Sequence, residues 1–211
     1  MSLYDRGRIV QRRTQLRGIH MNIKGKSLIL RAVEESDLVL LHEWANDPDT
    51  QNAIGHVHFP SSMDFHKAWF QKLKDDQLNQ RFAIEAPEFG LIGLSSIINI
   101  DWRNNHAWHG IVLGDKNTRG RGFGIEAMLT TVRYAFDELH LERLDGSIIE
   151  YNSLPYSLYM KYGWKEEGRR RNYYFRKGRY WDQIVVGITR HDYAQMIQET
   201  NYWGSPAGTK A

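Results

Sequence analysis

Residues 115–127 read DKNTRGRGFGIEA, with glycines at 120, 122 and 124. An apolar run, Ala107–Leu113, precedes the stretch and reads as a strand. Behind it, over Gly124–Leu139, the apolar residues Met128, Val132, Phe136 and Leu139 recur at helical spacing. Glycines between a strand and a helix let backbone approach a ligand and turn amides toward it. A helix N-terminus adds unpaired N–H groups and positive partial charge, so the segment suits phosphate or pyrophosphate. Arg119 and Arg121 supply charge beside it. A Walker A loop is excluded, because Ile125-Glu126 follows the last glycine where Lys and Ser or Thr are needed. The G-x-G-x-G spacing also departs from the dinucleotide fingerprint. Taken alone, the cluster is better read as a Gly-rich connection that binds nothing.

Working outward, Ser27–Val33 reads as a first strand. Ser36 offers an N-cap, with Asp37 in the first turn and Leu38, Leu41 and Ala45 at helical spacing until Asp47-Pro48. A second helix follows Pro60-Ser61-Ser62 and carries Phe65, Trp69 and Leu73 on one face. Phe82–Ala86, Leu91–Ile100 and Ala107–Leu113 form an antiparallel meander, with turns near Pro87 and Gly90 and at Arg103-Asn104-Asn105. After the helix at 124–139 come a strand, Leu144–Glu150, and a helix, Leu154–Tyr162, closed by Gly163. Strands at Trp164–Phe175 and Asp182–Ile188 turn at Lys177-Gly178, and a helix at Asp192–Glu199 ends the order. The order β-α-α-β-β-β-α-β-α-β-β predicts one α/β (α+β) domain: a mixed, mostly antiparallel central sheet with helices on both faces.

The length suits one domain with a sizeable core. An apolar fraction of 41% and a charged fraction of 25% describe a folded chain. With no cysteine, thiol catalysis, disulfides and Cys-ligated metal are excluded. No apolar run is long enough to span a membrane. The pI near 9.0 suggests a nucleic-acid partner, yet the charge is concentrated. Residues 1–23 hold five arginines against Asp5; without them 23 basic and 24 acidic residues remain, a net of −1. Such a leader is compatible with an organelle presequence, a cloning-derived segment ending at His20-Met21, or a basic arm for an anionic partner. The reading adopted is a leader over 1–23 outside the fold, a domain over 24–200 and a flexible tail over 201–211.

A second motif lies at 152–168, NSLPYSLYMKYGWKEEG. Together the two motifs resemble the GNAT N-acetyltransferase superfamily. Arg119, Gly122 and Gly124 fit its Q/R-x-x-G-x-G/A loop. Asn152, Leu158, Tyr159, Lys161 and Gly163 fall in register with N-x-x-A-x-x-L-Y-E-K-x-G-F, Trp164 replaces the Phe, and Glu167-Gly168 follows. The resemblance covers about 27–193 and is closest to the branch of ribosomal-protein N-terminal and spermidine acetyltransferases.

The resemblance implies a cytoplasmic enzyme that moves acetyl from acetyl-CoA to the primary amine of a small molecule, such as a polyamine or an aminosugar nucleotide, or of a protein N-terminus. No metal, nucleic acid or membrane is implied, and a homo-oligomer is compatible. It implies that Arg119, Gly120, Arg121, Gly122, Phe123 and Gly124 hold the CoA pyrophosphate. Backbone of Ile111, Val112 and Leu113 would hold the thioester, with an N–H at Val112 or Leu113 on its carbonyl. Asn152 and Lys161 belong to the same cofactor-binding set, and Tyr159 would protonate the departing thiolate. The family's strand glutamate corresponds to Trp108, so the usual general base is missing. Asp101 and His106 are the candidates for relaying a proton through water; an amine that arrives deprotonated needs neither. The alternative is a non-catalytic acyl-CoA-binding protein on the same fold.

Other features take plainer readings. The basic and aromatic residues at 169–179 fall in a hairpin whose alternation places aromatics inward and charges outward. His56, His58, His66, His106 and His109 do not form a compact ligand set. Trp44 and Trp69 read as core, while Trp102 and Trp108 flank the expected acceptor side.

Overall fold

The computed structural model describes residues 21–54 and 59–204. The leader up to residue 20, His56, His58 and the tail beyond Gly204 lie outside the described residues. One eight-stranded sheet runs in the order β1-β2-β3-β4-β5-β6-β8-β7. Its first half comprises β1 (Ile23–Lys24), β2 (Ile29–Arg31), β3 (Gln80–Ala86), β4 (Gly90–Asp101) and β5 (His106–Leu113), all antiparallel. Its second half holds β6 (Arg143–Ile149), β8 (Arg179–Thr189) and β7 (Lys165–Arg176), also antiparallel. The halves join through the single parallel pair, β5 with β6. A parallel pair needs a crossover, which α4 (Phe123–Arg133) supplies.

Helices α1 (Leu38–Ala45), α2 (Pro48–Ala53) and α3 (Met63–Leu73) lie between β2 and β3. They cover one face, where Val33, Leu38, Leu41, Ala83 and Leu91 are buried with Trp44, Trp69 and Phe70 against them. Helix α4 covers the other face with α6 (Arg190–Thr200). There Met128, Leu129, Val132, Leu144, Trp164, Ile188 and Met196 form the largest buried cluster. Helix α5 (Ser153–Lys161) links β6 to β7. Its end follows the sequence reading: Gly163 has φ +87°, and the Trp164 N–H reaches the Tyr159 carbonyl at 3.2 Å.

The structure corrects local expectations. Ser36 does not cap α1; a 3₁₀ turn, Glu35–Asp37, opens it, and the Asp37 carboxylate accepts from the Glu34 N–H at 2.8 Å. That carboxylate also holds the Arg31 guanidinium at 2.7 Å. Asp47-Pro48 does more than end α1: Asp47 accepts from the Thr50 N–H at 2.9 Å and caps α2. Phe65 is 61% exposed, because α3 buries the side of His66 and Phe70 instead. The expected helix over 124–139 becomes π-helical after Arg133, where the Leu139 N–H bonds the Tyr134 carbonyl at 3.1 Å. Tyr174 alone of its hairpin triplet is buried; Tyr173 is half exposed at the edge of a cavity and Phe175 is exposed, since three consecutive strand residues cannot share a face. Finally, Tyr202 and Trp203, assigned to the tail, pack against the core, and the Trp203 indole donates to the Tyr193 hydroxyl at 3.0 Å.

Candidate active site

The parallel pair between β5 and β6 is brief. It comprises His106 with Arg143, Ala107 with Leu144, and Trp108 with Asp145. Beyond these, β5 stays with β4 as far as Leu113 and β6 stays with β8 as far as Ile149. The sheet therefore forks, and the edges of residues 109–113 and 146–149 face a gap. A cavity of about 500 Å³ occupies it, lined by Ile111 and Val112 on one side and Ser147 to Ile149 on the other. Unpaired strand backbone inside a fold demands polar partners. An extended ligand with amide groups can supply them.

Tyr159, on α5, lies across the base of the fork. Its hydroxyl is 3.0 Å from the His109 Nδ1 on β5. On the other side, a Cβ built on Gly146 of β6 would stand 3.6 Å from the Tyr159 ring. Trp164 packs against both rings, with centroids 4.8 Å from Tyr159 and 5.6 Å from His109. Burial pushes the Tyr159 phenol well above its ordinary value and pulls the His109 imidazole down to about 4. At neutral pH both groups are uncharged, so the site holds a protonated phenol against a neutral imidazole. The sequence reading placed Tyr159 but missed His109 as a partner, since fifty positions separate them.

The glycine loop stands at the far end of β5. Gly122 has φ +87° and is the N-cap of α4, a conformation that a side chain resists. The Glu126 N–H is the first to close a helical bond, to the Gly122 carbonyl at 3.1 Å, so the amides of residues 123–125 lack a helical acceptor, whereas the Arg119 N–H is taken by the Lys116 carbonyl at 3.4 Å. A Cβ on Gly124 would sit 3.3 Å from the Leu113 side chain, which places the loop beside the outer end of the fork. Arg121 lies over the Phe89 ring at 5.1 Å, and Phe123 meets that ring at 5.8 Å. Glycine loop, β5 edge and Tyr159 thus follow one another along the fork.

Other expected residues fall elsewhere. Asn152 lines the cavity, and its amide donates to the Ala53 carbonyl at 3.1 Å, tying α5 to α2. Lys161 is exposed at the end of α5, with its ammonium 5.7 Å from the Tyr162 ring. Asp101 and His106 do not line the cavity. Asp101 is spent on the β4–β5 turn, accepting from the Asn104 side chain at 2.8 Å and from the amides of Asn104 and Arg103 at 2.9 Å, which hold its carboxyl below its usual value. His106 sits beside it, 3.7 Å from Asp101 and 3.9 Å from Asp145. Both stand behind the closed end of the fork, because the β5–β6 pairing lies between them and the gap. Trp108 lines the cavity, whereas Trp102 is 49% exposed outside it. Among the described residues no cluster of three His, Asp or Glu could hold a metal ion.

The chain that builds this forked sheet is matched by a family model. The model for the acetyltransferase (GNAT) domain covers residues 27–165, from the turn before β2 to the start of β7. The chain belongs to the GNAT acetyltransferases.

This acetyltransferase is similar to the spermidine N(1)-acetyltransferase of Vibrio cholerae, at 28% identity over 79% of this chain and 95% of that one. It is 27% identical to an SPbeta prophage-derived N-acetyltransferase of Bacillus subtilis (strain 168), over 80% and 93%. The crystal structure of the Vibrio cholerae enzyme in complex with CoA and spermine superposes with a TM-score of 0.75, at 27% identity over 80% and 98%. Family and relatives make this chain an acetyl-CoA-dependent N-acetyltransferase that acts on an amine.

Proposed function

We propose that the fork binds acetyl-CoA with its pyrophosphate on the amides of residues 119–124 and its thioester against the edge of Ile111 to Leu113. The acceptor is a small-molecule amine that enters from the α1–α3 face. The observation that carries this reading is the Tyr159 hydroxyl on the His109 imidazole at the base of the fork. The His109 Nε2 is buried without a partner, and a buried orphan N–H costs more than an unused lone pair. His109 therefore keeps its proton on Nδ1 and donates it to the phenol oxygen. That leaves the Tyr159 O–H free to donate to sulfur.

As the amine nitrogen bonds to the thioester carbon, a β5 N–H stabilises the oxyanion. Tyr159 gives its proton to sulfur as the C–S bond breaks, and His109 stabilises the transient phenolate. The proton shed by the new amide nitrogen returns to Tyr159, so the cycle balances. With the family's glutamate position held by Trp108, and Asp101 and His106 behind the closed end, the amine arrives neutral and needs no protein base.

Thiol release from acetyl-CoA, followed against a panel of amines, tests the reading. An amine that accelerates release at least ~10-fold over water supports it. If none does while acetyl-CoA binds, turnover is absent and the reading falls.

We place the reaction in the cytoplasm, where acetyl-CoA is available. Assembly into a homo-oligomer belongs to the same proposal. A Vibrio cholerae relative, 28% identical with a TM-score of 0.68, is dodecameric, and Tyr173, Phe175 and Tyr180 are exposed on β7 and β8 here. The described part of the domain runs from β1 to Trp203.

A further inference from the structure

Arg81 lies on β3 in a row with Ser96 on β4 and Gly110 on β5. All three line the cavity on the α1–α3 side of the fork. The Arg81 Nη1 is buried without a hydrogen-bond partner. Burial lowers its pKa, and the nearest opposing charge, Asp76, acts only through space. The oxygens of Asp76 are already held by the Leu78 and Asn79 amides and the Asn79 side chain at 3.0–3.1 Å. Among the described residues no Asp or Glu lines the cavity.

A half-buried guanidinium whose buried Nη1 lacks a partner is costly, and the planar fork suits carboxylate or phosphate best. The same field repels a second positive charge on an incoming amine, and Asp76 offsets it only through space. Two strand spacings, about 10 Å, separate the backbone of Arg81 from that of Gly110 at the fork. That span fits a small molecule with its amine at the thioester and an anion at Arg81.

We infer that the acceptor is a small amine carrying a carboxylate or phosphate, which Arg81 pairs, and not a polyamine. The inference rests on the acceptor entering from the α1–α3 face, as proposed above. It also separates this chain from the relative solved with spermine.

Matched amines test it: 4-aminobutyrate against 1,4-diaminobutane for the carboxylate, and glucosamine 6-phosphate against glucosamine for the phosphate. Binding is read by calorimetry with CoA present, which needs no turnover, and kcat/KM is read by thiol release. The wild type is expected to favour the anionic member of at least one pair about 10-fold or more, the ratio of a charge-assisted contact. Which pair responds distinguishes carboxylate from phosphate. In Arg81→Leu the preference should vanish through KM, with acetyl-CoA affinity kept, and Arg81→Glu should turn it toward the diamine. Equal binding of both members of each pair, a wild-type preference for the diamine, or an unchanged ratio in Arg81→Leu overturns the inference even where acetyl transfer is seen. Anion-selective binding without turnover would sustain it while removing the catalytic reading.

Discussion

In the proposed reaction the chemistry turns on Tyr159 and His109. Tyr159→Phe keeps the ring against Trp164 and removes only the hydroxyl. Turnover should fall about 10²-fold or more with acetyl-CoA affinity unchanged, if proton transfer limits the rate. A packing tyrosine would leave kcat intact in the thiol-release assay. His109 makes a separate prediction about stability. Its folded pKa of about 4 lies below the ordinary 6.5, so between those values the unfolded chain binds a proton that the native one refuses. Stability is complete above about pH 6.5, declines as pH falls, and levels off below about 4. The loss is on the order of 3 kcal/mol, at about 1.4 kcal/mol per unit. His66, also lowered by burial, adds loss of the same sign. Urea midpoints of wild type and His109→Phe across pH 4–7 isolate the His109 part, and parallel curves would refute it.

The elements that hold the fork depend on the first turn of α4. Glu126 accepts from the amides of Lys26, Ser27 and Leu28 and from the Ser27 hydroxyl, pinning the β1–β2 turn to this helix. Glu126→Ala strips three partly or fully buried amides of their acceptor, and each orphan costs about 1–3 kcal/mol before water relieves it. A loss of roughly 3 kcal/mol in chemical denaturation is expected; a loss within 0.5 kcal/mol would mean that the hairpin is not held there. Gly122 tests the other end of that turn. Open space surrounds its missing Cβ, so Gly122→Val acts through φ, at about 1–2 kcal/mol, and by crowding the free amides. CoA affinity by calorimetry should drop about 10-fold or more in a variant that still folds. Unchanged affinity would remove the loop from the site.

At the scale of the molecule, the two half-sheets touch through three residue pairs and are otherwise coupled by α4 and the core beneath it. A ligand that fills the fork bridges both halves. Saturating CoA at about 100 times its Kd should stabilise the fold by about 2.7 kcal/mol. For a chain of this size that raises Tm by roughly 5–10 °C. A CoA-independent Tm at that saturation would contradict binding in the fork. The C-terminal end contributes as well. The Arg133 guanidinium lies 4.0 Å over the Trp203 ring, which also bonds Tyr193, so Trp203→Ala should cost about 1–3 kcal/mol in urea denaturation.

Local physics made much of this legible in the chain. The meander showed itself in three apolar runs at hairpin spacing, broken near Pro87 and Gly90 and at Arg103-Asn104-Asn105, and α4 in its 3.6-residue stripe. The glycine at 122 and the N-x₆-Y-x₃-G spacing from Asn152 to Gly163 carried the family. Each is a short-range pattern, set by φ/ψ preference and side-chain period. Contacts across the fork are not of that kind. His109 reads in sequence as one of several scattered histidines, and nothing in the local pattern singles out Arg81, just before the strand expected at Phe82–Ala86. Asp101 and His106 lie close to Trp108 in sequence, yet the pairing at Trp108 and Asp145 leaves them behind the closed end. Where β5 parts from β6 depends on the packing of α4, α5 and two half-sheets distant in sequence. No local pattern encodes that point of divergence, and the partners of Tyr159 and Arg81 follow from it.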